Sequence, residues 1–407
     1  MLKKSLTNPF RPGAGHRPPY LAGREAEKEE FRNLLDQEVI TDNPIITGLR
    51  GVGKTVLLDK LKPIAVTNGW WWVGTDLSES ASLTEERIAI RLLADLSVTT
   101  AQLVVARNQV PAMGFSPERR EQTVTLNYET LVSYYNSRPG LTVDKLKAVL
   151  ELVWSAMPKD TVRGIVFAYD EAQNLADHTD DKQYPLSLVL ELFQSAQAKG
   201  MRFMLVLVGL PTLFPKLVEA RTWAERMFHV ITLGRLSDQA SREAIEKPIK
   251  DSKCALIPSP EMISEMVAAA GGYPYFIQFI GREAYDVALQ KYDKGEPLHI
   301  SITDITRKLD EDFFSGRWAK ATDRIRDLLR VIAELEADED EFTVQQIVAK
   351  SKTLVTSSMI SAVFSSSYAN QLLAKSIATG FVYKNRHGCY VLAVPLLGRF
   401  IRRQPAD

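Results

Sequence analysis

Short, nearly unbroken apolar runs alternate, along the first half of the chain, with stretches whose apolar residues recur three and four positions apart. The runs are NPIITG at 43–48, GWWWVGTDL at 69–77, GIVFAYDEAQ at 164–173 and RFMLVLVGLP at 202–211. Each is rich in β-branched or aromatic residues and ends at turn formers or polar residues, which predicts strands buried on both faces. Helical spacing is found at 26–35, at 83–96, and behind the first run, where Leu57, Leu58 and Leu61 recur until Pro63, which should end that helix. Strands alternating with helices predict an α/β domain with a parallel sheet covered on both sides. Residues 97–150 are polar, dotted with aromatics and broken by Pro111, Pro117 and Pro139, so an insertion in one crossover is expected there. Trp70, Trp71 and Trp72 occupy successive strand positions and cannot all face one way, which predicts burial on both faces of a covered sheet.

After Ser237 the strand pattern gives way to helices. Ser259-Pro260-Glu261 reads as an N-cap and first turn, and Gly271-Gly272 as a stop. Helices are expected at 323–336, at TVQQIVAK (343–350) and within 359–377, followed by GFVYKNRHGCYVLAVP (380–395), two strand-like runs around a tight basic turn. Helices closed by a hairpin predict a winged helix-turn-helix. The expected organisation is an arm at 1–24, a nucleotide-binding core at 25–236 with its insertion at 97–150, a small helical lid at 237–316 and a winged-helix domain at 317–407.

Composition narrows the functional classes. The 407 residues are 45% hydrophobic and 25% charged, with 50 Lys+Arg against 50 Asp+Glu, so no overall basic field draws the chain onto nucleic acid or anionic lipid. Cys254 and Cys389 share no metal-ligand spacing. FMLVLVGLPTLF (203–214) is too short and Pro-broken to span a bilayer, and no apolar stretch follows Lys3 and Lys4. A cytoplasmic protein with no membrane association is expected.

The chemistry is concentrated at GLRGVGKT, residues 48–55. Its spacing, Gly48-x-x-x-x-Gly53-Lys54-Thr55, is that of a phosphate loop, and strand and helix flank it in the required order. Glycines let N–H donors converge on a polyphosphate, Lys54 reaches the β- and γ-phosphates, and the Thr55 hydroxyl is placed for Mg²⁺. Gly48, Gly51, Val52, Gly53, Lys54, Thr55 and Val56 are the expected ATP contacts. Asp170 and Glu171 end a buried strand, where ligands of parallel sheets collect. Asp170 is the candidate metal acid beside Thr55, and Glu171 the candidate base that polarises the attacking water. Gln173 has two readings, a reporter of the γ-phosphate and a cap for the next helix. No further cluster of His, Asp or Lys marks a small-molecule pocket, which disfavours a metabolic kinase.

In family order, YLAGRE, GLRGVGKT, FAYDEAQ, VLVGLP, AERMFHVITLGRL, GGYPYFIQF and the terminal helices with their hairpin resemble AAA+ ATPases. The resemblance is to the branch holding origin-recognition initiators, transposition-regulator ATPases and STAND signalling ATPases. It covers nearly the whole chain. It implies base-side contacts by Tyr20, Gly23 and Arg24, and an arginine finger at Arg226 that reaches a neighbour's γ-phosphate within a homo-oligomer, with Arg221 in reserve. Arg226 can also be read as a surface arginine paired with Glu225 or Glu219. The sequence departs from the pattern at two places. Gly209, Leu210 and Pro211 stand where a polar sensor is usual, leaving Thr212 as sensor or helix N-cap, and Tyr275 stands where the lid carries an arginine. Hydrolysis that is slow or stimulated by a partner is therefore expected.

Two effectors remain open. Lys384, Arg386 and His387 lie in the expected wing with Arg399, Arg402 and Arg403 nearby, so double-stranded DNA is one candidate partner. The expected recognition helix offers only Lys375, Asn370 and Gln371 as polar readers, and the acidic run ELEADEDE would repel phosphates. The alternative is a STAND-like signalling or defence adaptor, whose nucleotide state gates a protein effector without DNA.

Overall fold

The computed structural model describes residues 6–13, 16, 18–111, 119–335, 341–386 and 388–405. The chain divides into two compact units, one of residues 25–47 and 57–232, the other of 1–24, 48–56 and 233–407.

The first unit is built on a five-stranded sheet. Its elements are α1 (Glu25–Leu35), β1 (Asn43–Gly48), α2 (Lys54–Thr67), β2 (Trp70–Val73), α3 (Glu85–Thr100), β3 (Val104–Pro111), β4 (Arg119–Thr125), α4 (Tyr128–Ser137), α5 (Thr142–Ala156), β5 (Gly164–Tyr169), α6 (Pro185–Ala198), β6 (Phe203–Gly209), α7 (Leu213–Ala220) and β7 (Phe228–Leu233). The sheet order is β2-β5-β6-β1-β7. The register is parallel, pairing Trp70 with Gly164, Tyr169 with Leu207 and Thr47 with Gly209. β1, β5 and β6 are buried at every position. Phe167 packs edge-on against Phe193 at 4.9 Å and Phe203 at 5.7 Å, within a core that includes Leu92, Leu96, Val149 and Val153. Each such side chain stabilises the fold by about 1.5–3 kcal/mol through area removed from water.

Three differences from the sequence reading have physical causes. Pro63 does not end α2, which continues to Thr67; Leu61 and Ala65 are both fully buried, so packing outweighs the hydrogen bond that proline cannot donate. The region 97–150 contains the β3–β4 antiparallel pair and two helices, and α3 extends into it as far as Thr100. β7 was not expected, because its FHVITL, interrupted by His229 and Thr232 and with burial alternating irregularly, lacks the continuous apolar run of the inner strands. The tryptophans divide as expected for a covered sheet: Trp70 is buried, Trp71 and Trp72 are half-buried, and Trp72 meets Phe31 edge-on at 6.3 Å.

The second unit is mostly helical. α8 (Asp238–Asp251), α9 (Pro260–Ala270), α10 (Pro274–Lys294) and α11 (Ile302–Leu309) come first, and a π-helical turn at Asp310–Ser315 leads into α12 (Gly316–Trp318). Ser259 caps α9 by accepting from the Met262 N–H, and Gly271 closes it in the left-handed region, as the sequence indicates. There follow α13 (Asp323–Ala333), β8 (Phe342–Thr343), α14 (Val344–Thr356), α15 (Ser366–Ala378), β9 (Val382–Arg386), β10 (Cys389–Leu392) and α16 (Leu397–Arg402), with an antiparallel sheet in the order β8-β10-β9. Thr343 starts α14 with a reciprocal capping box to Gln346. A ladder of rings, Phe276–Phe313 at 5.2 Å, Phe313–Phe314 at 4.9 Å and Phe314–Phe400 at 5.1 Å, runs from α10 through the π turn to α16. Among the described residues no helix is long and apolar enough to cross a membrane.

Candidate nucleotide site

The parallel register sets the site. The carboxyl ends of β1, β6 and β5 share one edge of the sheet, at Thr47, Gly209 and Tyr169, so what leaves those strands emerges together. From β1 comes the loop at 48–53. A β-carbon on Gly48 would lie 2.5 Å from the Leu233 carbonyl oxygen, and Gly51 and Gly53 have φ of 83° and 93°, a region favourable only to glycine. Arg24, buried, donates to the carbonyls of Val52 (3.1 Å) and Gly234 (2.6 Å), so it braces the loop backbone. Lys54 Nζ donates to the carbonyls of Gly48 (2.9 Å) and Leu49 (3.0 Å), curling over the loop it would serve. The Tyr275 N–H reaches the Gly51 carbonyl at 3.2 Å, so the start of α10 leans on the same loop.

From β5 come the acids. Asp170 is buried and its backbone is held on both sides, donating to Thr75 O at 3.2 Å and accepting from the Leu77 N–H at 2.9 Å. Its carboxylate accepts the Glu171 N–H at 2.7 Å. Glu171 is exposed and left-handed, with φ of 52°, a conformation that costs a residue with a side chain about 1–3 kcal/mol. Gln173 donates to the Glu171 carboxylate, while its side-chain oxygen accepts the Leu210 N–H at 3.1 Å. Its own carbonyl receives Lys216 Nζ at 2.8 Å, and burial holds that ammonium below the ordinary lysine range. Gln173 thus ties Glu171 to the end of β6. Its position two residues beyond an acid was visible in the sequence; its partner on another strand was not. Thr212 stands at the N-cap of α7 but makes no side-chain capping bond.

The remaining candidates fall elsewhere. Tyr20 docks on α8: its hydroxyl accepts from Lys247 Nζ at 2.6 Å, and that ammonium lies 4.2 Å from the ring centre. Arg226 is exposed and, among the described residues, forms no ion pair with Glu225 or Glu219. It lines a cavity of about 340 Å³ with Thr41, Gln194 and Trp223. Asn43, the first residue of β1, donates to Met227 O at 2.9 Å, so Arg226 lies beside the amino ends of the strands, opposite its own acid pair. Lys384 is exposed on β9; Arg386 is described only as backbone, and His387 lies outside the described residues. Arg399 donates to Ala268 O at 2.9 Å, Arg402 to Ala333 O, and Arg403 grips both oxygens of Asp310 at 2.8 and 2.6 Å. Most of ELEADEDE, at 336–340, also lies outside the described residues, whereas Glu341 accepts from Asn385 on β9 at 2.7 Å.

A parallel sheet with a glycine loop leaving one inner strand and an acid pair ending another defines the P-loop nucleotide-binding class of fold. No protein-family model and no curated protein matches the chain. Solved structures do. The ORC2 protein of Aeropyrum pernix in its ADPNP–ADP complexes is 15% identical, with 96% of this chain and 95% of that chain covered, at a TM-score of 0.53. Its ADP form gives 14%, the same coverage and 0.55. A Walker-type ATPase of Pyrococcus abyssi gives 16%, 95% and 97%, and 0.55. The chain shares its fold with these ORC2 and Walker-type ATPase structures.

Proposed function

We propose that the chain binds ATP with Mg²⁺ at residues 48–56 and hydrolyses it slowly, as a nucleotide-dependent switch whose subunits complete one another's sites. The observation that carries this reading is the convergence of Thr47, Gly209 and Tyr169 at one sheet edge, which aligns the exits of the glycine loop and the acid pair. The loop suits a polyphosphate: Gly48 admits no β-carbon, and Lys54 lies folded over carbonyls that phosphate oxygens would replace. The ADPNP–ADP complexes of the Aeropyrum protein support a nucleotide in this fold. Thr55 and Asp170 would hold Mg²⁺, whose charge would offset that developing on the transferred phosphoryl group. Glu171 would orient and polarise water. Arg226, at the opposite edge from its own acids, would act on a partner subunit's nucleotide.

The test is Glu171→Gln in the full chain. ATP binding should persist while phosphate release falls to background. Turnover at the wild-type rate would sink the assignment of the base.

We read the terminal α13-β8-α14-α15-β9-β10 arrangement as a winged helix. DNA contact through Lys384 and Arg386 is one use of it. Protein docking is favoured by Glu341, which stands just before β8 and accepts from Asn385 of the hairpin, and by the internal engagement of Arg399, Arg402 and Arg403. STAND-like gating of an effector is the form that second reading takes.

A further inference from the structure

Tyr275 fills the lid position where an arginine would be useful, yet a guanidinium approaches the loop from another direction. The β-carbon of Tyr275 lies 3.0 Å from where one on Gly51 would stand, so lid and loop are in close contact. The Tyr275 ring is 5.3 Å from that of Phe313, in the π turn. Arg317, one helical turn further on, lies over Phe313 with its guanidinium carbon 5.2 Å from the ring centre. Arg317 is half-buried, and among the described residues it has no carboxylate partner. Burial first, and then the positive charge of Arg50, hold its pKa below the ordinary arginine value, with Tyr275 acting in the opposite sense. Arg50 belongs to the loop itself, between Leu49 and Gly51, and is exposed. Burial first, and then the negative charge of Asp312, raise the Tyr275 pKa. Through Tyr275 and Phe313, Arg317 is packed on the flank of the loop that carries Arg50, and a pair of cationic guanidiniums there suits an anionic ligand.

We propose that Arg317, with Arg50, binds the outer phosphate of the nucleoside triphosphate, supplying from α12 the contact that Tyr275 cannot make. The inference rests on the nucleotide reading of residues 48–56. The inner phosphates belong to the N–H groups at the start of α2, and Lys54 spans the β- and γ-phosphates, so the outer phosphate lies between Lys54 and the first half of the loop, where Arg50 stands. The segment carrying Arg317 is tied to the carboxyl-terminal helix, with Phe314 stacked on Phe400 at 5.1 Å, Trp318 edge-on to Phe400 at 6.0 Å and Asp310 held by Arg403. A phosphate that draws Arg317 inward therefore pulls on α16, and ATP and ADP are told apart by a group that moves with the terminal domain.

The experiment is titration of the full chain with ATP and with ADP, for wild type, Arg317→Met and Arg317→Lys. Methionine keeps an apolar stem over Phe313 without the charge. ATP affinity should fall about ten- to a hundred-fold in Arg317→Met, as for loss of a charge-assisted contact, with ADP affinity within about two-fold of wild type and Arg317→Lys intermediate for ATP. Wild type that binds ATP, with Arg317→Met binding it equally well, would overturn this assignment alone. Equal loss of ATP and ADP would make Arg317 a scaffold residue and also overturn it. Wild type that binds neither nucleotide would remove the nucleotide reading, and this inference with it.

Discussion

The side-chain oxygen of Gln173 accepts the backbone N–H of Leu210 at 3.1 Å, so a residue of the acid loop caps the end of the neighbouring strand. The same carboxamide donates to Glu171, and one side chain therefore spans the candidate base and the place where a sensor would stand.

Gln173→Ala should lower stability by about 0.5–1.5 kcal/mol, because the Leu210 N–H loses its partner at a part-buried strand end. ATP binding should be retained while turnover falls about ten-fold through loss of the orientation of Glu171. Thermal unfolding and phosphate release check the two parts separately; an unchanged melting temperature would contradict the bridging role.

Arg226→Ala should leave ATP affinity unchanged and reduce turnover about a thousand-fold, as expected for an arginine finger. Mixing it with a Lys54→Ala chain, which keeps the finger but not the loop lysine, should restore part of the rate. Undiminished turnover by dilute Arg226→Ala would rule out action on a partner.

Glu283 on α10 gives a pH dependence of known sign. Burial pushes its carboxyl up, but the ion pairs with Lys308 and Arg282 outweigh burial and hold it below the ordinary 4.5. A depressed folded-state value contributes stability that is fully present above the unfolded-state value and is lost as pH falls through the folded-state one. Between about pH 5 and about pH 3 the melting temperature of wild type should fall more steeply than that of Glu283→Gln. Parallel curves would refute the claim.

The terminal arginines should separate by role. If the hairpin meets DNA, Lys384→Ala with Arg386→Ala should reduce the salt slope of duplex binding by about 2. Arg403→Ala should instead lower stability by about 1 kcal/mol, since its exposed side chain is committed to Asp310 and solvent screens part of that pair. No duplex binding by wild type, with capture of a protein effector in the ATP-bound form, would favour the docking reading.

The sequence made the central strands and the phosphate loop legible because their signals are local: apolar runs, glycine spacing, and an acid pair just past a buried strand. β7 was hidden because His229 and Thr232 interrupt its apolar run, and α2 continues through Pro63 because tertiary burial outweighs one missing N–H. The link from Gln173 to Leu210 and the packing of Arg317 through Phe313 and Tyr275 onto Gly51 were beyond sequence reading. Each joins residues brought together by register or by a lid, and no spacing rule connects them. The intramolecular bonds of the terminal arginines were equally out of reach, since clustering in sequence does not show that Arg399 and Arg402 donate to carbonyls and Arg403 to Asp310.

Gly209 couples the sensor position to the candidate base. A β-carbon there would stand 2.7 Å from the Gln173 side-chain oxygen and 3.0 Å from Leu213. An asparagine or threonine at 209 and the present seat of Gln173 exclude one another. A side chain at 209 would make the Gln173 carboxamide swing away, releasing the Leu210 N–H and Glu171 together, so a residue placed there to act as sensor would also loosen the candidate base.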